Sequence, residues 1–316
     1  MDVGSDSLDK SGTAGGAASE TSAREVLTLS LDAFVRSIGV RRSVPVTVFL
    51  GAGASTSSGI PSAQMCILEW KRRIFLTNNP GLEDQFSELS LDGVRRRIQR
   101  WLDQQGCYPN EDTADEYGYY IRQCFPISDD RRAFFAELVR NARPHVGYRL
   151  LCHLAEADII RSVWGPNFDG LVARVAANFK LSPIEVGIST QKRIDHRPTK
   201  GELLCVSMHG DYRYDQLKNT PDELQNQEAA LRDALIADLR DSSLLVSGYS
   251  GRDRSLMETL FDAYAQPGGG VLYWCGFSDG DIPETVAALI RHARSHGRQA
   301  HYVPSLGFDD LMIRLR

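Results

Sequence analysis

Short apolar runs alternate with amphipathic stretches through most of the second half of this 316-residue chain. The runs are rich in Val, Ile, Leu and aromatic residues, and most of them stop at a glycine or a small polar cluster. Such runs, separated by helical stretches of about 10–15 residues, are typical of parallel strands joined by crossover helices. We therefore predict a doubly wound, Rossmann-like α/β fold with helices on both faces of a parallel sheet. The predicted strands after residue 144 are 159–164, 203–208, 244–248, 271–275 and 300–303, and the predicted helices between them include 222–239, 255–264 and 282–296.

The first 143 residues add a tail, one further strand and a long helical region. Residues 1–22 are rich in Gly, Ser, Ala and Asp and lack apolar periodicity, which predicts a disordered tail. Apolar residues recur at helical spacing from Leu27 to about Gly39, and the apolar, β-branched run at 46–50 predicts a buried strand. From about 62 to 143 the sequence changes to amphipathic stretches such as 64–76, 86–102 and 131–139. We interpret 62–143 as a helical insertion within a single domain that spans residues 23–316.

Charge and cysteine content exclude several classes of protein. The formal net charge is −5, which disfavours nucleic acid as the main ligand because such binding needs an excess of Lys and Arg. The six cysteines lie at least 17 positions apart, so no Cys-x-x-C pair is available for zinc or redox chemistry. The sequence has no stretch of 18 continuous apolar residues and no secretory signal. These features predict a cytoplasmic protein without a membrane segment.

A glycine-rich turn follows the first predicted strand. Gly51-Ala52-Gly53-Ala54-Ser55 comes directly after residues 46–50, and Gly59-Ile60-Pro61 follows three residues later. Glycines between a strand and a helix let backbone amides approach a pyrophosphate. The fingerprint of NAD-dependent dehydrogenases would place a third glycine at the position of Thr56 and an acidic residue at a later strand end. The sequence therefore does not favour a dehydrogenase. A glycine-rich turn without a ligand is the structural alternative.

Polar clusters also follow two later strands. Asn167 and Asp169 stand where the strand 159–164 ends, and His209 stands where the strand 203–208 ends. Ligands of open α/β sheets bind beyond the carboxyl ends of the strands, so these positions suit a site. The pKa of histidine makes His209 a candidate general base. The alternatives are a helix N-cap for Asn167 and Asp169 and a purely structural role for His209.

Three further features are weaker signals. The turn Gly248-Tyr249-Ser250-Gly251-Arg252-Asp253 comes after the strand 244–248, and its small residues suit an adenosine ribose or merely a tight turn. The basic run at 95–100 lies on a predicted helix, where a solvated face is the simpler interpretation than a docking surface for a partner or nucleic acid. His292 and His296 share a helix face, but no glutamate stands between them in the manner of zinc proteases, so we predict no metal site.

The four strand-end motifs occur in a fixed order, namely GAGAS with GIP, then NFD, then His-Gly, then GYSGRD. In this order they resemble the sirtuin superfamily, over residues 46 to about 303. Deacylating sirtuins carry a four-cysteine zinc module between the His-Gly and the last turn, whereas the interval from His209 to Gly248 contains no cysteine. They also carry an acidic-aromatic-Arg run after GIP, where this chain has Ser62-Ala63-Gln64. The chain is more similar to the zinc-free, sirtuin-like NAD hydrolase effectors of prokaryotic anti-phage defence.

That resemblance implies an NAD glycohydrolase that releases nicotinamide and ADP-ribose, with NAD as substrate and no zinc. Asn167 and His209 would be the catalytic residues, with Asn167 orienting the nicotinamide ribose and the attacking water and His209 acting as general base. The implied NAD-binding residues are Gly51, Ala52, Gly53 and Ser55 at the pyrophosphate, Ile60 and Pro61 of the GIP motif, Asn167 and Asp169 on the nicotinamide side, and Gly248, Tyr249 and Ser250 on the adenosine side.

The resemblance also implies a mode of control. Loss of NAD is toxic, so such an effector of abortive infection is expected to be held inactive until a trigger arrives. A homo-oligomer, an activating partner protein or an additional C-terminal domain would supply the control. Two other functions stay open at this point, namely an NAD-dependent protein deacylase and a non-catalytic nucleotide-sensing module.

Overall fold

The computed structural model describes residues 28–113, 116–208, 221–277 and 281–316, and its centre is one parallel β-sheet. The strands are β1 (Val46–Leu50), β2 (Ile160–Gly165), β3 (Ser182–Val186), β4 (Glu202–Ser207), β5 (Ser243–Ser247), β6 (Leu272–Phe277) and β7 (Ala300–Ser305). They lie in the order β3-β4-β2-β1-β5-β6-β7, and all neighbouring pairs are parallel. Every residue of β1 and β5 is buried, because these central strands are covered on both faces.

Helices cover both faces of the sheet. They are α1 (Leu31–Val40), α2 (Ala63–Asn78), α3 (Asp92–Gln105), α4 (Glu116–Cys124), α5 (Ser128–Asn141), α6 (Val146–Glu156), α7 (Leu171–Ala176), α8 (Pro221–Asp241), α9 (Arg254–Tyr264), α10 (Glu284–Ser295) and α11 (Phe308–Leu315). Short 3-10 helices occupy Ala52–Ser58, Asp84–Phe86 and Ile188–Asp195. Apolar residues of α1, α6, α7 and α11 form one core with the sheet, and those of α8, α9 and α10 form a second core on the opposite face. The predicted doubly wound α/β class is confirmed.

The direction of winding reverses between β1 and β5. From β1 the chain continues to β2, then to the edge strand β3 and back to β4, which lies between β3 and β2. From β5 it moves outward in the other direction through β6 to β7. Since β1 and β5 are hydrogen-bonded neighbours, the loops that follow them diverge at this point. Ligands of doubly wound folds bind in the crevice that such a reversal creates.

The helices α2 to α5 pack around an apolar core of their own, apart from the two cores of the sheet. Trp70, Leu102 and Tyr120 are fully buried there. The same region contains a buried ion pair, in which Lys71 Nζ lies 2.5 Å from Glu116 Oε1. Their side chains are only 2% and 1% exposed, so protein groups replace the lost water. Lys71 also donates to Gln99 Oε1, and Glu116 also accepts from the Asp112 amide.

The two ends of this helical insertion are tied to one residue. The Arg143 amide donates to the Ser58 carbonyl oxygen at 2.9 Å, and the His145 amide donates to Ser58 Oγ at 3.0 Å. Ser58 is the last residue of the 3-10 helix that precedes the insertion. The chain therefore leaves the sheet region and returns to it at the same place.

The structure differs from the sequence predictions at three elements. Helix α3 begins at Asp92, whereas the predicted amphipathic stretch begins at 86, because residues 84–86 form a separate 3-10 helix. Strand β3 was not among the predicted strands, because its sequence contains Pro183 and only its last residue, Val186, is buried. Helix α1 begins at Leu31 and not at Leu27, because Ser30 caps it and Thr28 pairs with Tyr302 of β7. The predicted tail of residues 1–22 lies outside the described residues. Within the described ranges, no helix is long and apolar enough to cross a membrane.

Candidate active site

The turns that follow β1 and β5 are in direct backbone contact. The Gly53 amide donates to the Gly248 carbonyl oxygen at 2.9 Å. A Cβ atom at Gly51 would lie 2.4 Å from that oxygen, and one at Gly248 would lie 2.2 Å from the Ala54 nitrogen. Gly248 also has a positive φ of 67°. These glycines are therefore required for the contact between the two turns, whether or not a ligand is bound.

One amide of the first turn remains available to a ligand. The amides of Gly51, Gly53 and Ala54 donate to carbonyl oxygens of Ser247, Gly248 and Gly51. Ala52 begins the 3-10 helix, so its N–H has no acceptor inside that helix, and it has none elsewhere in the described part of the chain. Ala52 is half-buried and lies where the turns meet. Its amide is the donor that this turn offers to an anion.

Ser55 joins three of the polar residues of the site. Its Oγ donates to Asp169 Oδ2 at 2.6 Å and lies 2.8 Å from Tyr148 Oη and 3.4 Å from Asn167 Nδ2. Ser55 is only 1% exposed. The sequence predicts that Ser55 contacts a pyrophosphate. In this structure its hydroxyl is already hydrogen-bonded to neighbouring residues.

Asn167 and Asp169 come together beside Ser55, beyond the carboxyl end of β2. Asn167 Nδ2 donates to the Gly51 carbonyl oxygen at 3.0 Å, while its Oδ1 has no hydrogen bond among the described residues. Asp169 Oδ1 accepts from the Leu171 amide at 3.0 Å in the first turn of α7. The N-cap of α7 is Gly170, without a side-chain cap hydrogen bond, so the N-cap alternative for Asn167 and Asp169 is wrong. Asp169 instead accepts from the first residue of α7 through Oδ1 and from Ser55 through Oδ2.

Burial changes the protonation equilibria of this cluster. It raises the pKa of Asp169 above its ordinary value, and the hydrogen bonds from Ser55 and from the Leu171 amide oppose that rise. Burial raises the pKa of the Tyr148 hydroxyl well above its usual range, with a further contribution from the nearby charge of Asp169. Tyr148 is thus a neutral hydroxyl at physiological pH.

A cavity of about 230 Å³ lies beside Asn167 and Asp169, at the carboxyl ends of β2, β3 and β4. Burial raises the pKa of the Cys205 thiol in its wall, so this cysteine stays protonated and is a poor nucleophile. The lining of the cavity combines apolar and polar residues. Its lining includes Val163, Leu171, Glu185, Thr190, Arg193, Cys205 and Ser207.

His209, the predicted general base, lies outside the described residues, as do Gly210 and Asp211. The residue before it, Met208, donates its amide to the Gly165 carbonyl oxygen at 2.9 Å. The chain therefore reaches position 208 beside the end of β2, which is the strand that Asn167 follows.

The remaining predicted residues lie around the two turns. Ile60 is buried, and its amide donates to the Ser55 carbonyl oxygen at 3.2 Å, while Pro61 is half-buried. The Tyr249 ring packs against Phe49 and Trp274 in the core beneath its turn, which leaves its backbone near Gly51. Ser250 is exposed at the surface of the same turn.

Residues 161–274 match the family model of the SIR2-like domain. The similarity to the SIR2-like domain covers 114 of the 316 residues. The matched segment runs from β2 into β6, so it includes the positions of Asn167, Asp169 and Gly248. The turn Gly51–Ser55 precedes it. No protein of curated function matches the sequence.

Solved Sir2 structures are similar to this chain at low sequence identity. One, a Sir2 histidine-to-alanine mutant with a deacetylated p53 peptide and 3′-O-acetyl ADP-ribose, is 15% identical, with a TM-score of 0.46 over 91% of this chain and 97% of the other. A Sir2 homologue mutant in complex with 2′-O-acetyl ADP-ribose is 14% identical, with a TM-score of 0.42 over 89% and 93%. A Sir2 histidine-to-tyrosine mutant with a p53 peptide and NAD is 15% identical, with a TM-score of 0.40 over 86% and 91%.

Sequence reasoning missed one polar residue of the cluster, which precedes the segment matched by the family model. Tyr148 lies on α6, where it contacts Ser55 from a position 93 residues further along the chain. A tyrosine among Val146, Leu150 and Leu151 is the ordinary pattern of a core-facing helix, so no local signal marks it. The described residues contain no group of three or more His, Cys, Asp or Glu that could hold a metal ion.

Proposed function

We propose that this protein is an NAD glycohydrolase, which cleaves the nicotinamide N-glycosidic bond of NAD to give nicotinamide and ADP-ribose. One observation carries the proposal. The side chain of Asn167 is held by the Gly51 carbonyl oxygen and keeps its own Oδ1 without a hydrogen bond among the described residues. A fixed amide oxygen at the carboxyl edge of a SIR2-like domain is suited to accept from a ribose hydroxyl or from an attacking water.

The pyrophosphate would lie across the two turns. The free amide of Ala52 supplies a donor there, and the close contact of Gly53 with Gly248 leaves no side chain between the backbone and the ligand. The adenosine would then lie on the side of Gly248 and Ser250. The nicotinamide ribose would lie beside Asn167, next to the cavity that Asp169 lines.

The reaction needs a base for water and little assistance for the leaving group. The nicotinamide of NAD carries a positive charge, which is neutralised when the C–N bond breaks and its electron pair moves to nitrogen. The oxocarbenium-like ribosyl carbon accepts water, and one proton of that water passes to the base. His209 is the proposed base, because it follows Met208 directly and Met208 contacts the end of β2.

Two sequence features favour hydrolysis over deacylation. The interval from His209 to Gly248 has no cysteine for the zinc module of deacylases. After Pro61 the chain enters a helix at once, since Ser62 Oγ accepts from the Met65 amide and caps α2. Gln64 then accepts a hydrogen bond from Arg252 of the second turn. The acidic-aromatic-Arg run of deacylases is therefore replaced by a capped helix start.

The cellular role belongs to the same proposal. A cytoplasmic enzyme that destroys NAD suits an effector of abortive infection, held inactive until an oligomer forms or an activating partner binds. The helical insertion presents surface for such an interaction, with Met65, Leu91 and Ile127 more than half exposed.

The test is incubation of the purified protein with NAD at high protein concentration, followed by chromatography of nicotinamide and ADP-ribose. Replacement of His209 by Ala should lower kcat by about 10²–10⁴-fold, and Asn167→Ala should lower it by at least about 10²-fold. Asn178→Ala, at an exposed asparagine beyond α7, is the matched control and should leave the rate unchanged. Release of nicotinamide only in the presence of an acylated lysine peptide would identify a deacylase. Saturable NAD binding without product, at any protein concentration, would identify a nucleotide-sensing module.

A further inference from the structure

Tyr148 is a buried polar residue to which the proposed reaction assigns no role. It is 1% exposed on α6, and its ring packs edge-on against Phe308 with the ring centroids 5.1 Å apart. Its hydroxyl lies 2.8 Å from Ser55 Oγ. Packing alone accounts for the ring, but it does not account for a hydroxyl aimed at the site.

The hydrogens of this cluster have a defined direction. Ser55 has one hydroxyl hydrogen, and it is donated to Asp169 Oδ2. The hydrogen bond between Tyr148 and Ser55 must therefore use the hydrogen of Tyr148, which the raised pKa of this buried phenol keeps in place. The result is a chain in which Tyr148 donates to Ser55 and Ser55 donates to Asp169.

This chain fixes the orientation of the Asp169 carboxylate. Oδ2 accepts from Ser55, and Oδ1 accepts from the Leu171 amide, so neither oxygen is free to rotate away. Successive hydrogen bonds in a buried chain polarise and strengthen one another. The other charges that act on the cluster are Arg174, which lowers the pKa of Asp169, and Asp309, which raises that of Tyr148.

We propose that Tyr148 is a positioning residue of the NAD site, which acts through Ser55 to hold Asp169 in the orientation that receives the nicotinamide end of NAD. The inference rests on the proposed function, in which Asp169 serves that end. Phenylalanine at 148 would keep the contact with Phe308 and remove only the donor. Ser55 and Asp169 would then lose the first hydrogen bond of the chain.

The experiment compares Tyr148→Phe, Ser55→Ala and the double variant in calorimetric binding of NAD and of ADP-ribose, which require no turnover. Tyr148→Phe should weaken NAD binding by about five- to tenfold and change the Kd of ADP-ribose by less than about twofold. The double variant should be no weaker than Ser55→Ala, because Tyr148 acts only through Ser55. Tyr264→Phe is the control, since the Tyr264 hydroxyl is also buried but makes no hydrogen bond among the described residues.

A second measurement does not depend on NAD. The Asp169 carboxyl is titrated by ¹³C NMR, and its midpoint should rise in Tyr148→Phe, rise further in Ser55→Ala, and not rise beyond that in the double variant. Additive effects of the two substitutions, or an Asp169 midpoint that Tyr148→Phe leaves unchanged, would overturn the role of Tyr148. A wild-type protein that binds neither NAD nor ADP-ribose would instead remove the proposed function, while the titration would still decide whether the hydrogen-bond chain exists.

Discussion

Replacing Gly248 by alanine tests whether the contact between the two turns stabilises the site. Two separate costs are expected at this position. The residue has a φ of 67°, and a left-handed conformation costs a residue with a Cβ roughly 1–2 kcal/mol. The new Cβ would also lie 2.2 Å from the Ala54 nitrogen and 2.8 Å from the Gly53 carbonyl carbon, so the turns must separate. Overpacking of this kind costs about 1–3 kcal/mol.

Two other glycines separate these costs. Gly59 has a φ of 90° with nothing within 4 Å of its Cβ position, so Gly59→Ala has the conformational cost alone. Gly51 has an ordinary φ of −94° but a Cβ position 2.4 Å from the Gly248 carbonyl oxygen, so Gly51→Ala has the steric cost alone. We expect the free energy of unfolding to fall by about 1–2 kcal/mol in Gly59→Ala, by about 1–3 kcal/mol in Gly51→Ala and by about 2–5 kcal/mol in Gly248→Ala.

The assay is equilibrium unfolding in urea followed by far-UV circular dichroism, with the midpoint converted to free energy at constant slope. A loss of 2–5 kcal/mol is a large part of the roughly 5–15 kcal/mol that stabilises a typical domain. If Gly248→Ala lost no more stability than Gly59→Ala, the turns would be able to separate without cost, and the argument for glycine at these positions would fail.

Three further predictions concern buried or paired charges outside the site. Arg298, 3% exposed, donates to three backbone carbonyl oxygens, and Arg298→Met should lower the free energy of unfolding in urea by about 2–4 kcal/mol; an unchanged midpoint would contradict this. Lys71→Met leaves Glu116 buried without its partner, so unfolding should be easier by about 3–5 kcal/mol, with proteolysis beginning in the helical insertion and not in the sheet. Hydrogen bonds from Thr199 and His196 lower the pKa of Glu202 from 4.5 to about 2. The stability this carboxylate contributes is therefore complete above about pH 4.5 and lost as the pH falls through about 2, and an NMR titration midpoint near 4.5 would refute the pairing.

Most of the sheet is predictable because its strands are buried on both faces. Strands β1 and β5 are apolar, β-branched or small at every position, and such runs are visible without knowledge of neighbours. Strand β3 lies at the edge of the sheet, where most of its residues are at least partly exposed and Pro183 is tolerated, so its sequence resembles that of a loop. Ser30 and Asp253, the N-caps of α1 and α9, are residue types that mark helix starts in the sequence.

The site is only partly visible from the sequence. Strand ends in a parallel sheet share one edge, so the proximity of Gly51, Asn167 and Gly248 follows from the predicted topology. The contact between Tyr148 and Ser55 depends on how α6 packs against the 3-10 helix, which no local pattern specifies. The lining of the cavity could not be predicted either, because it includes Glu185 of the unpredicted strand β3 and Arg193 of the 3-10 helix that follows it.

The hydrogen bonds of Ser58 to Arg143 and His145 have a consequence for how the helical insertion can act on the site. The 84 residues between Ser58 and Arg143 are therefore anchored at both ends by Ser58. The insertion also contacts the site, because the Phe135 ring of α5 packs on Phe168 with the ring centroids 4.4 Å apart. A movement of α5 would therefore be transmitted through this ring contact to the segment that carries Asn167 and Asp169.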